Sequence, residues 1–271
     1  MKVSIAILLL AGAGQVIGTK RSSQTIHMIS WIVLSMIVVS YSTAVAKEEW
    51  VVGRFSAATP GNQPPGDWEP LTFKNIKKYT RYSLGSDSGQ TVVKAVCDGS
   101  SSGWIRHVRI DPQKYPIIEW RWKITNVFKK GDVAQKAGDD YPARLYITFE
   151  FDPKKANLIE RAKHKTLKLL LGKTLPAEAI NYIWASKAPE GTIVPSPYTK
   201  QSMMIVVQRG SADLNQWVTE RRDIHADYMA AFGKEPSMIA GIAIMTDGND
   251  TGESAVAYYG DIVMRSKNKK P

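Results

Sequence analysis

Residues 118–124 read Ile118-Glu119-Trp120-Arg121-Trp122-Lys123-Ile124, an unbroken alternation of bulky apolar and charged side chains. Only an extended chain sends successive side chains to opposite faces, so a period of two specifies a strand with one buried row and one wet row. Leu145, Ile147, Phe149 and Phe151 alternate with Arg144, Tyr146, Thr148 and Glu150 in the same way. Near the end, Val256, Tyr258, Ile262 and Met264 alternate with Tyr259, Asp261 and Val263. Met203 to Val207 and Ile239 to Met245 are apolar on both faces, as central strands covered on both sides would be. Turn-forming runs separate these segments, among them Pro64-Pro65-Gly66, Asp98-Gly99-Ser100, Gly138-Asp139-Asp140 and Asp247-Gly248-Asn249. Roughly eight to ten strands at this spacing predict a mainly β fold, a single antiparallel β-sandwich or jelly roll.

Two helical insertions are expected within it. Over residues 154–173, Leu158, Ile159, Ala162, Leu169 and Leu170 form one stripe, with Arg161, His164, Lys165 and Lys168 opposite. Such a basic amphipathic helix either caps one end of the sandwich or rests on an anionic membrane surface. The second helix runs from Ile224 to Phe232, where Gly233 stops it and Pro236 follows.

The first 46 residues are of a different kind. Two apolar stretches, Val3 to Gly18 and Ile29 to Val39, flank Lys20-Arg21, and the second leads into Ala44-Val45-Ala46. Small residues at the −3 and −1 positions after an apolar run suit signal peptidase. Residues 1–46 are therefore expected to be an export signal or an uncleaved membrane anchor, with a start further in, at Met28, as one explanation of the length. Residues 47–271 form the β-sandwich domain, delivered to the periplasm or envelope.

The formal charge of +11 is concentrated. Removing the leader's Lys2, Lys20 and Arg21 leaves +8, of which the 154–173 segment holds +6 and the tail from Arg265 holds +4. The rest is slightly acidic, so the basic balance does not describe a nucleic-acid-binding surface, and no nucleic-acid partner is expected. Cys97, the single cysteine, excludes an intrachain disulfide and reads as a small buried hydrophobe. The domain's His107, His164 and His225 have no zinc spacing, and there is no nucleophile elbow, phosphate loop or dinucleotide fingerprint.

Candidate ligand-binding residues come from the wet rows. Glu119, Arg121 and Lys123, then Arg144, Tyr146 and Thr148, then Tyr259 and Asp261 are predicted to share one sheet surface, where charged groups would bond the hydroxyls of a sugar. Asp139-Asp140 beside Arg144 would grip sugar hydroxyls or a cation if a loop lets both acids converge; ordinary turn chemistry is the other reading. Asp247, Asn249 and Asp250 partly mimic a calcium loop, but the position of the bidentate Glu is Tyr258, so an EF-hand fails. A smaller structural calcium site on those three residues, or a plain hairpin loop, remains; no other cofactor is implied. Trp120 and Trp122 read as core, whereas Trp68, Trp104 and Trp184 read as core or as stacking platforms.

Gly138-Asp139-Asp140-Tyr141-Pro142-Ala143-Arg144-Leu145-Tyr146-Ile147, Trp217…Glu220-Arg221-Arg222-Asp223…Asp227-Tyr228…Phe232-Gly233 and Ile244-Met245-Thr246-Asp247…Asp250-Thr251-Gly252 with Tyr259-Gly260-Asp261-Ile262 are distinctive as a set. With Trp120-Arg121-Trp122 they resemble the bacterial family catalogued as domain of unknown function 3047, over roughly Phe55 to Met264. The resemblance implies an exported or envelope-associated protein and supplies no reaction, so no catalytic residue is assigned. The expected function is an envelope protein whose non-catalytic β-sandwich binds a carbohydrate or similar ligand. Two alternatives stay open: a hydrolase or lyase acting on glycans, and a structural or assembly factor at the membrane surface.

Overall fold

The computed structural model describes residues 49–154, 158, 161 and 177–267, all within the compact unit Lys47–Pro271. The expected leader and the expected 154–173 helix, apart from Lys154, Leu158 and Arg161, lie outside the described residues. The strands are β1 (Glu49–Gly53), β2 (Trp68–Leu71), β3 (Arg81–Asp87), β4 (Gln90–Asp98), β5 (Ser101–Ile110), β6 (Ile117–Ile124), β7 (Arg144–Phe149), β8 (Glu178–Ala185), β9 (Ile193–Ser196), β10 (Thr199–Arg209), β11 (Val218–Asp223), β12 (Ile239–Asp247) and β13 (Ser254–Arg265). They form a six-stranded sheet, β11-β6-β13-β4-β3 with β1 also on β13, and a seven-stranded sheet, β2-β5-β12-β7-β8-β10-β9. Every pair is antiparallel except β8 with β10, which run parallel.

The alternation of residues 118–124 is realised as read. Ile118, Trp120, Trp122 and Ile124 are buried, and Glu119, Arg121 and Lys123 are half-buried on the opposite face. Leu145, Ile147 and Phe149 point inward from β7 in the other sheet and are fully buried. Between the layers Trp120 lies 5.3 Å from Tyr182, and Trp122 lies 6.0 Å from Trp184, joining β6 of one sheet to β8 of the other. Trp68, Trp104 and Trp184 are also core, so none of them is a stacking platform. Each sheet must cover its apolar row, and the two rows cover each other.

Local chemistry sets the turns. Ser88 and Gly89 join β3 to β4 with φ of 51° and 79°, the left-handed pair of a two-residue hairpin, which brings Asp87 opposite Gln90. The helix α1 (Ile224–Phe232) falls where its sequence placed it. Asp223 caps its start by accepting from the Ala226 N–H at 3.0 Å, and Gly233 ends it in the left-handed conformation. Asp227 accepts from Tyr182 at 2.7 Å and from Arg222, which holds α1 against both sheets.

Leu145→Ala, at a site with no exposure, should cost about 2–5 kcal/mol of unfolding free energy. Thr219→Ala, on the exposed row of β11, should change it by less than about 0.5 kcal/mol. Urea denaturation followed by tryptophan fluorescence measures both; equal costs would contradict the assignment of faces.

Candidate functional site

The residues expected on one surface divide between the two sheets. Glu119 and Arg121 lie on the outer face of the six-stranded sheet, whereas Arg144 and Tyr146 lie on the outer face of the seven-stranded one. No single cleft can hold both groups, because the core separates those faces.

Arg144 is not a free hand for a ligand. It opens β7, and its side chain is only 4% exposed. Its Nε donates to Asp247 Oδ1 at 2.7 Å, and a second nitrogen donates to Asp247 Oδ2. The remaining donors reach the Asp139 backbone oxygen, the Asp139 carboxylate at 3.5 Å and the Tyr146 hydroxyl at 3.2 Å. Its guanidinium also stacks 4.3 Å from the Tyr141 ring centre. Asp140 is wholly buried, with one oxygen accepting from the Thr251 N–H at 2.5 Å and the other without a hydrogen-bond partner. The convergence of Asp139 and Asp140 thus takes place, but inside the protein. It ties the loop before β7 to the loop after β12 and does not present two acids to a sugar.

The expected calcium set does not converge either. Both Asp247 oxygens are committed to Arg144, Asn249 donates to Asp250 Oδ1 at 2.9 Å, and Tyr198 donates to Asp250 Oδ2 at 2.8 Å. Among the described residues, no group of three or more His, Cys, Asp or Glu is arranged to hold a metal ion. The loop after β12 is a hydrogen-bonded connection.

On the six-stranded sheet the row of Glu119, Arg121 and Lys123 does face outward, but Tyr259 does not. Tyr259 is opposite Trp122, is 1% exposed, and shares a 2.7 Å hydrogen bond with the hydroxyl of Thr246 from the other sheet. The reason is a β-bulge: Tyr259 pairs with Trp122 and Ile262 pairs with Trp120, so Gly260 and Asp261 together stand opposite Arg121. The bulge reverses the parity of β13, burying Ala257 and Tyr259 before it and Ile262 and Met264 after it. Asp261 is held at the bulge by Ser56, whose N–H and hydroxyl donate at 2.8 Å and 2.5 Å.

Parity reversal turns Tyr258 outward, and it meets Trp217 edge to face at 6.4 Å. Around these two rings stand three cations. Lys123 lies 4.5 Å over Tyr258 and 5.3 Å over Trp217, Lys94 lies 5.9 Å over Tyr258, and Arg121 lies 4.5 Å over Trp217. Asp87 accepts from Lys123 at 2.6 Å and from the Trp217 indole at 2.8 Å, bonds that hold its carboxyl below the usual range. Among the described residues, Lys94 and Arg121 make no ion pair. Below this cluster the charges pair off: Glu119, which burial would raise, is held low by Arg265 and Arg221. Lys94, Asp87, Trp217 and Tyr258 were not among the expected site residues. Lys94 and Asp87 could have been found from strand parity and the Ser88-Gly89 hairpin; Tyr258 could not, because the bulge leaves no mark in the alternation.

The family model described as Protein of unknown function (DUF3047) matches residues 66–263. The chain belongs to this family. No curated protein matches it. Among solved structures, it is similar to endoglucanase Cel12A from Rhodothermus marinus, with a TM-score of 0.41 and 9% identity over 80% of this chain and 99% of that one. It is similar to a family 12 xyloglucanase from Bacillus licheniformis, with 0.36 and 13% over 78% and 100%. The family 30 carbohydrate-binding module of a cellulosomal cellulase from Clostridium thermocellum gives 0.33 and 9% over 82% and 99%. At these scores the likenesses add nothing to the reading of the site.

In this DUF3047 domain the Arg144 cluster gathers three carboxyl groups around one guanidinium, so full ionisation would leave two buried negative charges uncompensated. Burial raises Asp139 and Asp140, and it raises Asp247 to about 7 in spite of Arg144. Arg144 itself stays charged, because its carboxylate and tyrosine neighbours outweigh the burial that opposes its charge. A raised carboxyl keeps its proton in the folded state after the unfolded chain, ionising near ~4, has released it. Stability should therefore be greater near pH 5 than near pH 7.5, falling as the pH rises and levelling above about 7. Each kcal/mol corresponds to about 2–4 °C in a domain of this size. Asp140→Asn, which removes one of the charges that raise Asp247, should flatten the dependence. Melting temperatures between pH 5 and 8 test this, and the same slope in both proteins would refute it.

Proposed function

We propose that this protein is an exported, non-catalytic β-sandwich of the bacterial envelope that binds a carbohydrate on the outer face of its six-stranded sheet. The observation that carries the reading is the half-exposed Trp217–Tyr258 pair with Lys94, Arg121, Lys123 and Asp87 arrayed around it. Aromatic rims supply apolar contact to the carbon faces of a sugar, and fixed charged donors bond its oxygens. Export is supported by the Ala44-Val45-Ala46 ending of the apolar leader.

One observation favours a hydrolase: raised carboxyls at Asp139, Asp140 and Asp247 are of the kind that act as general acids near neutral pH. Their 5% or lower exposure and their bonds to Arg144, Ser196 and Thr251 keep them from a polymer's reach, which supports binding without cleavage. The membrane-surface alternative rests on the basic 154–173 segment and the basic tail from Arg265, most of which lie outside the described residues.

A glycan array probed with the full chain should show binding that Trp217→Ala and Tyr258→Ala each weaken by about tenfold or more, since loss of one stacked aromatic costs about 0.5–1.5 kcal/mol beyond its buried area. Both variants should keep the melting temperature within a few degrees. Absence of binding to any glycan, or release of reducing sugar from a bound one, would overturn the proposal. N-terminal sequencing of the protein recovered from envelope fractions should begin at Lys47; recovery from the cytoplasm would contradict export.

A further inference from the structure

Resting on that reading of the outer face, we infer that the ligand is an acidic polysaccharide, and that Arg121 is the residue that selects it. Of the three cations Lys94, Arg121 and Lys123, only Lys123 makes an ion pair among the described residues, with Asp87, which also accepts from Trp217; Asp261, opposite Arg121 at the bulge, is held by Ser56. Three cations against Asp87 and Asp261 leave the face with a net positive charge, with Lys94 and Arg121 in no ion pair among the described residues, the complement of an anionic chain lying across the strands. In sequence terms the domain outside its basic segments is slightly acidic, so this patch is a local excess and not a sample of a basic surface.

Arg121 is positioned more firmly than an ordinary surface arginine. The bulge places Gly260 beneath it, and a Cβ there would come within 2.5 Å of the Arg121 Cγ and Nε. Glycine leaves the channel in which the arginine lies flat. Its guanidinium then rests on Trp217 at 4.5 Å and donates to Gln90, the residue set beside Asp87 by the β3–β4 hairpin. A guanidinium stacked on an indole is poorly hydrated and already oriented, while its other in-plane donors remain available to a bidentate anionic oxygen group. These contacts orient the guanidinium before a ligand arrives, which reduces the ordering that binding would otherwise require. Lys94 and Lys123 flank Tyr258 on the neighbouring strands, so the charged groups of a chain could meet successive cations across the sheet.

The negative charge could come from carboxylates or from phosphates on the sugar. Isothermal titration of the full chain with polygalacturonate, with a phosphomannan and with neutral dextran separates the two sources. Binding to at least one acidic polymer, weakened by raising salt from 50 to 300 mM, is expected, with dextran at least tenfold weaker. Arg121→Gln should lose about tenfold or more in affinity. Gly260→Ala should lose a comparable factor although it changes no charge, because its methyl group displaces Arg121; retained folding is checked by the melting temperature. Neutral and acidic polymers bound equally and without salt dependence would overturn this inference and leave the carbohydrate reading intact. Gly260→Ala binding as the parent does would overturn the role of Arg121. No binding to any polymer, including binding only to vesicles containing phosphatidylglycerol, would overturn both.

Discussion

Contact between the tryptophans of β6 and the aromatic residues of β8 is the constraint on which the rest of the molecule depends. Trp120 and Trp122 lie edge to face at 5.4 Å within one strand, and Tyr182 and Trp184 answer them across the sandwich. β6 lies between β11 and β13 in its sheet, and β8 lies between β7 and β10 in the other. Fixing this pair fixes the separation and register of both layers. It also decides which row of each strand meets water. Glu119, Arg121 and Lys123 are available on the outside because Trp120 and Trp122 are inside.

From that point polar groups take two roles. Those on the seven-stranded side are buried and bonded to one another, Arg144 with Asp247 and Asp139 and one oxygen of Asp140 with the Thr251 N–H, while the other Asp140 oxygen has no hydrogen-bond partner. A buried group of this kind specifies how two loops meet, because removing one partner leaves a charge uncompensated in a medium that cannot solvate it. Those on the six-stranded side remain half-exposed and are oriented by aromatic rings. The distinctive run Gly138–Ile147 of this sequence is therefore architectural, and the candidate binding surface is built from less distinctive residues.

Much of the fold was legible because burial on one side of a strand writes itself into the sequence as alternation. Residues 118–124 and 144–149, the helix from Ile224 to Phe232 and its glycine stop were all read correctly. Alternation reports which residues share a face of their own strand and is silent on which strands are neighbours. Glu119 and Arg144 were therefore assigned to one surface although the core lies between them. Alternation also fails at a bulge, where one added residue inverts everything beyond it; Tyr259 was read as wet and Tyr258 as buried for that reason. Asp139, Asp140 and Asp247 carry no sign in sequence of whether their charges face water or Arg144, since turn loops and buried loop anchors use the same residues. The parallel pairing of β8 with β10 is likewise invisible to local pattern.

A double-mutant cycle on Trp122→Leu and Trp184→Leu, followed by urea denaturation, tests the interlayer contact most directly. The account predicts that the two losses couple by about 0.5–1.5 kcal/mol, the excess an aromatic pair contributes beyond buried area. Additive losses, within about 0.3 kcal/mol, would mean that these two strands do not face each other across the core.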